Sequence, residues 1–154
     1  MKTCVTCELT ANRHQGPRCE RIYEDAHWRV VHAFNTSLPG WLVIVSMRHV
    51  VSFAELSEAE ALSFGPLLHR VSRALQEVTG AIKTYTVLFA ESPEHPHVHL
   101  HVIPRMADIP EDKKGPRVFD YLGVPEDQIV PLEKRNEIAV KLQELLCQSG
   151  KETL

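Results

Sequence analysis

Apolar positions along the chain follow three rhythms, and each predicts a different element. Continuous apolar runs of strand length mark strands covered on both faces, alternation marks half-buried strands, and three-to-four spacing marks helices. The run Trp41-Leu42-Val43-Ile44-Val45-Ser46 follows the turn signal Asn35-Thr36-Ser37-Leu38-Pro39-Gly40 and reads as a central strand. Residues 21–24 and 28–31 read as two short strands around Asp25-Ala26-His27. Ser57 with Glu60 forms a capping box, Gly80 supplies a stop, and Leu68, Val71, Leu75 and Val78 share one stripe, predicting a helix over residues 57–78 with a kink at Pro66. Residues 84–90 and 97–103 read as strands joined by the short link Glu91-Ser92-Pro93-Glu94-His95-Pro96. Residues 4–18 read as a loop-rich arm. Residues 106–117 read as an exposed loop, and 118–122 as an apolar segment docked on the body. Ile138, Val140, Leu142, Leu145 and Leu146 predict an amphipathic helix over residues 136–147, with a frayed end beyond Gln148. Strands, a helix, more strands and a helical tail in that order predict an α+β fold with an antiparallel sheet.

Composition adds bounds. A chain of 154 residues suggests one domain. Its 44% hydrophobic and 24% charged residues match an ordinary globular protein. A formal net charge of −3 argues against generic nucleic-acid binding. No apolar run is long enough for a membrane span, and the first residues lack the core of a signal peptide, so a cytoplasmic location is expected. There, Cys4, Cys7, Cys19 and Cys147 would be thiols or metal ligands rather than disulfides.

The chemistry concentrates in His97-Val98-His99-Leu100-His101-Val102-Ile103. Side chains alternate across a strand, so the three imidazoles share a face opposite Val98, Leu100 and Val102. Imidazole is nucleophile, acid, base and metal ligand near neutral pH, and three in register are costly as mere packing. His95 extends the alternation, but Pro96 interrupts it. A Cys4-x-x-Cys7 pair alone does not make a zinc site, which needs four ligands. Trp28, Trp41 and His32 read best as core.

The histidine-φ-histidine-φ-histidine-φ-φ pattern resembles the histidine triad (HIT) family of nucleotide hydrolases and transferases. The likeness extends to Cys4-Val5-Thr6-Cys7, to Ile22-Tyr23-Glu24-Asp25, to residues 38–45 with Arg48-His49, and to Arg105. It covers residues 4–105. The resemblance implies a five-stranded antiparallel sheet with helices over residues 1–105, carrying a zinc-type N-terminal arm. Residues 106–154, beyond the reach of the resemblance, are expected to form a C-terminal helical extension packed on the same domain. The resemblance also implies a homodimer, and a small-molecule nucleotide as substrate.

By the same resemblance, His99 is the nucleophile attacking the α-phosphorus of a dinucleoside polyphosphate or nucleoside phosphoramidate, and His101 a donor to the phosphoryl oxygens. His97 serves structure and metal beside them. Phe34 matches a position that contacts the base, with a core role as its alternative; from the residues themselves, Ser92 is a further donor to phosphate, and His95 is either a lining residue of the phosphate pocket or an exposed loop histidine. The position that usually holds the ribose is Ala33, which cannot hydrogen-bond; Asn35 is the replacement. A structural zinc on Cys4, Cys7, His49 and His97 is implied, with Cys19 or His14 as rival ligands and no organic cofactor. A nucleotide-binding module with little turnover is the alternative, which the alanine at 33 favours.

Overall fold

A computed structural model describes residues 3–149. Five strands form one antiparallel sheet: β1 (Tyr23–Glu24), β2 (Trp28–His32), β3 (Leu42–Ser46), β4 (Lys83–Val87) and β5 (His99–Arg105). Their spatial order is β1-β2-β3-β5-β4, which puts β3 at the centre. Every residue of β3 is buried, as its unbroken apolar run predicts. Helix α2 (Glu58–Thr79) links β3 to β4, and helix α3 (Leu132–Ser149) lies beside it.

The sheet separates two apolar layers. Trp28, Val30, Leu42, Ile44, Leu100 and Val102 face α2 and α3 in the larger core. Alternation sends Val43, Val45 and Ile103 to the other face, where Trp41 and Val118 complete a smaller cluster. The site lies on that second face. Residues 28–46 and 99–105 are therefore packed on one side and chemically available on the other.

Helix α2 is capped as its sequence predicts. The Ser57 hydroxyl accepts from the Glu60 amide, the Glu60 carboxylate accepts from the Ser57 amide at 2.7 Å, and Gly80 closes the end at φ +75°. The helix is a single element through Pro66. Its buried stripe is Phe64, Leu67, Val71, Ala74 and Leu75, while Leu68 and Val78 sit at its border.

Two sequence expectations need correction. The arm at residues 4–18 is not mainly loop: Val5–Ala11 form helix α1 and two short 3-10 turns follow. Tertiary contact stabilises this helix. Its first amide, at Val5, donates to the Glu94 carbonyl at 3.0 Å, and Thr6 and Thr10 are buried. The last strand begins at His99 rather than His97. Backbone pairing at 97 and 98 is diverted, with the Val98 amide donating to Val50 and its carbonyl accepting from Ser46.

The C-terminal third is knitted onto the sheet. The Gly123 amide donates to Asn35, the Ser37 amide to Tyr121 and the Val130 amide to Thr36. Helix α3 starts at Leu132, four residues before the sequence expectation, and buries Ile138, Ala139, Leu142 and Leu146. The expected frayed end falls largely on residues 150–154, outside the described residues. No described helix is long and apolar enough to cross a membrane.

Candidate active site and metal centre

The antiparallel register sets the active face. Val45 lies opposite both His99 and Arg29, and Val43 lies opposite both His101 and Val31. Two rows thus cross the sheet, Arg29–Val45–His99 and Val31–Val43–His101. Directly opposed residues point to the same side. They floor a cavity of about 430 Å³ walled by α1, the 89–95 loop and Leu122. Leu122 shows that the C-terminal extension completes the wall.

Hydrogen-bond partners assign each triad tautomer. The Nδ1–H of His99 donates to the His97 carbonyl at 2.7 Å, so Nε2 is the lone-pair nitrogen of the neutral ring. The Nδ1 of His101 accepts from the indole N–H of Trp41 at 3.0 Å, so its Nε2 carries the proton. Burial above all pushes His101 down to about 4, and a proton on the neighbouring His99 would push the same way. His101 is therefore a neutral donor at physiological pH. Trp41 is fully buried and meets both His101 and Phe119 edge-on. The core reading of Trp41 is right but incomplete, because the indole also sets the state of His101.

His97 does not share the cavity with the other two. Its ring is fully buried and turned toward the N-terminal arm. Its Nε2–H donates to the Ser46 carbonyl at 2.7 Å, which leaves the Nδ1 lone pair toward the cluster. That nitrogen lies 3.3 Å from His49 Nδ1, 3.4 Å from Cys7 Sγ and 3.8 Å from Cys4 Sγ. Cys7 Sγ lies 3.1 Å from His49 Nδ1, and all four ligand atoms fall within 4.8 Å of one another.

A tetrahedral zinc with usual bond lengths separates its ligands by about 3.3 Å (N to N), 3.5 Å (N to S) and 3.8 Å (S to S). The N-to-N distance of 3.3 Å matches, the N-to-S distances of 3.1, 3.4 and 3.8 Å bracket the ideal, and the donor set is Cys₂His₂, so the cluster fits the ion. The carbonyl behind His97 is the outer partner that such ligands use. Burial first, and then the Cys4 thiol, pushes the Cys7 thiol up to about 11, a penalty that a bound cation reverses. Cys19, buried near Arg135, and His14, in a 3-10 turn, stand outside the cluster.

Arg48 holds the His49 turn in place. Its guanidinium forks onto the Glu60 carboxylate at 3.0 and 2.8 Å and also donates to the Glu55 carbonyl. That fork, with the Ser57 amide, holds the Glu60 carboxyl down at about 2.

The remaining sequence candidates gather at the cavity. Phe34, half exposed at the mouth, lies 6.5 Å from the His95 ring. His95 Nδ1 is 2.9 Å from the Thr6 hydroxyl, and burial lowers its proton affinity. Asn35 and the exposed Ser92 line the wall. Ala33 is buried and offers only its backbone. His32 is the satisfied core histidine its pattern suggests. Its Nδ1–H donates to the Ala33 carbonyl and its Nε2 accepts from the Gly40 amide, at 2.8 and 2.9 Å. Sequence reasoning missed Arg29, Glu20 and Thr6 as lining residues. The alternation of Arg29 with Val31 on one strand face carried a signal for the first, and nothing local carried one for Glu20 or Thr6.

A buried triad strand, a cavity over its second and third histidines and a Cys/His cluster under its first define a histidine triad protein. The HIT domain model matches residues 16–108, and the chain belongs to the HIT family. That is a family of nucleotide-binding and hydrolase-type proteins. Solved structures agree on the fold. A HIT-like protein involved in cell-cycle regulation from Bartonella henselae is 20% identical, with a TM-score of 0.71 over 94% of this chain and 97% of that one. A zinc-bound histidine triad family protein from Mycobacterium smegmatis is 21% identical, with a TM-score of 0.68 over 97% and 96%. A hypothetical histidine triad nucleotide-binding protein from Sulfolobus tokodaii is 15% identical, with a TM-score of 0.72 over 97% and 96%. Among curated proteins no sequence match is found.

Proposed function

We propose that this protein is a nucleotide hydrolase or nucleotidyl transferase acting at the α-phosphorus of a dinucleoside polyphosphate or nucleoside phosphoramidate. The observation that carries this reading is the 2.7 Å bond from His99 Nδ1–H to the His97 carbonyl. It commits Nδ1 to the backbone, so Nε2 is the nitrogen available for attack on a histidine that lines the cavity. In the first step a bond forms from His99 Nε2 to phosphorus. The P–O or P–N bond to the leaving group breaks, and the departing group takes the electron pair and a proton from water. In the second step water attacks the nucleotidyl-histidine, releasing the nucleoside monophosphate and restoring the imidazole. His101 Nε2–H donates to a phosphoryl oxygen as charge grows there. Ser92 and His95 serve the phosphate, Phe34 the base and Asn35 the ribose.

Cys4, Cys7, His49 and His97 hold a structural zinc in this reading. The four protein ligands leave no open position for substrate. Held there, a zinc would tie helix α1, through Cys4 and Cys7, to the residue whose carbonyl orients His99. The protein acts as a homodimer, and a monomer mass by light scattering at micromolar concentration would count against that.

The test is intact-protein mass spectrometry after brief incubation with a diadenosine or diguanosine polyphosphate and with the matching phosphoramidates, quenched without acid. Nucleotide release, or one nucleotidyl group on the protein, should appear and should vanish in His99→Asn. The second reading, a binding module with little turnover, is favoured by the side chain missing at Ala33. It requires nucleotide binding without release, unchanged in His99→Asn.

A further inference from the structure

One buried charge in the cavity has no partner. Arg29 is only 5% exposed and lies on the cavity wall. Its guanidinium makes no hydrogen bond to any described residue, and its Nε is fully enclosed. A buried, unpaired guanidinium is among the costliest groups a fold can carry. The largest attraction comes from Glu20, which lines the same cavity without closing an ion pair on Arg29. The other two charges in reach, Arg13 and Glu24, are paired with each other at 2.9 Å. Arg29 and Glu20 are thus left without an ion pair, and both line the space a ligand would fill; Glu91, the other unpaired carboxylate of the lining, is exposed on the 89–95 loop.

Their position suits a base. Arg29 shares a row with His99 across two strand spacings, about 10 Å. A ribose bridges such a separation between its phosphorus and the edge of its base. Val31 and Val45 form the floor there and Leu9 of α1 the facing wall, an apolar slot for a flat ring.

A simple anion would satisfy Arg29 but would meet the carboxylate of Glu20. A purine carrying two acceptors on one edge and donors on the next satisfies both. Guanine offers O6 and N7 to a guanidinium fork, and N1–H and N2–H to a carboxylate. Adenine turns an amino group toward the guanidinium where guanine has O6, and it has no ring N–H for the carboxylate. We propose that the cavity selects guanine nucleotides, with Arg29 donating to O6 and N7 and Glu20 accepting from N1–H and N2–H. The proposal rests on the nucleotide reading above and adds the base to it.

Titration calorimetry on the wild-type protein with GMP, AMP and adenosine 3′,5′-bisphosphate tests it. GMP should bind roughly ten- to a hundredfold more tightly than AMP. Arg29→Met and Glu20→Gln should each bring the two affinities together. Arg29→Met should keep or raise the melting temperature, because it removes an unpaired buried charge. Glu20→Gln is the second variant should Arg29→Met fail to fold. Equal binding of GMP and AMP by the wild type would overturn the proposal, as would a GMP preference surviving both substitutions. A bisphosphate that outbinds AMP only while Arg29 is present would make Arg29 an anion site and also overturn it. A fall in melting temperature in Arg29→Met with the preference intact would assign Arg29 to structure. If none of the three ligands binds, the nucleotide reading itself fails; if all bind without base preference, only the present inference does.

Discussion

His32 links a sequence position to a measurable pH dependence. The imidazole is 1% exposed, and burial holds it down at about 4, against 6.5 in an unfolded chain. The folded state therefore keeps His32 neutral while the unfolded state takes up a proton. Its contribution is complete above pH 6.5 and is lost as the pH falls from 6.5 toward 4. At 1.36 kcal/mol per pH unit, the loss between pH 7 and pH 4 is about 3 kcal/mol, a large part of the ~5–15 kcal/mol that holds a domain together. Other groups titrate in the same range, so the informative perturbation is His32→Gln. The amide can accept from the Gly40 amide and donate to the Ala33 carbonyl, as the imidazole does, without taking up a proton. Urea unfolding from pH 4 to 8 followed by tryptophan fluorescence gives both curves. The two proteins should diverge by about 3 kcal/mol as the pH drops, with wild type losing more. Parallel curves would show that His32 is protonated in the fold and that its burial argument is wrong.

Trp41→Phe removes the donor to His101 Nδ1 and leaves that nitrogen buried and unpaired. Stability should drop by ~2–3 kcal/mol from the lost bond and the smaller ring. kcat should fall roughly tenfold with little change in KM, since the effect falls on transition-state charge; imidazole nitrogen shifts should show mixed tautomers. Gly40→Ala should cost ~2–4 kcal/mol by thermal unfolding, because Gly40 sits at φ +88° and an added Cβ would stand 2.7 Å from Thr79 Cγ2. Zinc removal by a strong chelator, or His49→Ala, should lower the melting temperature by several degrees. It should also reduce turnover, although no ligand touches substrate, because the carbonyl of His97 orients His99. Full activity in a protein shown by elemental analysis to be metal-free would refute that coupling.

Local pattern made much of this molecule legible. The apolar run of β3, the Ser57/Glu60 box with Gly80, and the two-residue spacing of the histidines each follow from backbone geometry alone. Residues 4, 7, 49 and 97 could be grouped only through resemblance, because ligand sets assemble across long stretches of chain. The arm was misread for a related reason. Helix α1 owes its stability to contacts such as Val5 with Glu94, which lie far apart along the chain.

Which face each histidine serves was settled by tertiary packing. An alternating strand puts His97, His99 and His101 on one side, yet the diverted backbone at 97 and 98 sends the first imidazole to the sulfur cluster and leaves two at the cavity. Protonation states follow from partners such as the Ser46 and His97 carbonyls and the Trp41 indole, none of which local periodicity reveals. Arg29 is the clearest case. Its place on β2 is a matter of period two, whereas its isolation depends on Arg13 and Glu24 pairing with each other. The order of residue types sets where a chain can form strands and helices. The energy of a charge or the tautomer of a ring depends on every group within a few ångströms, and only the folded chain brings those together.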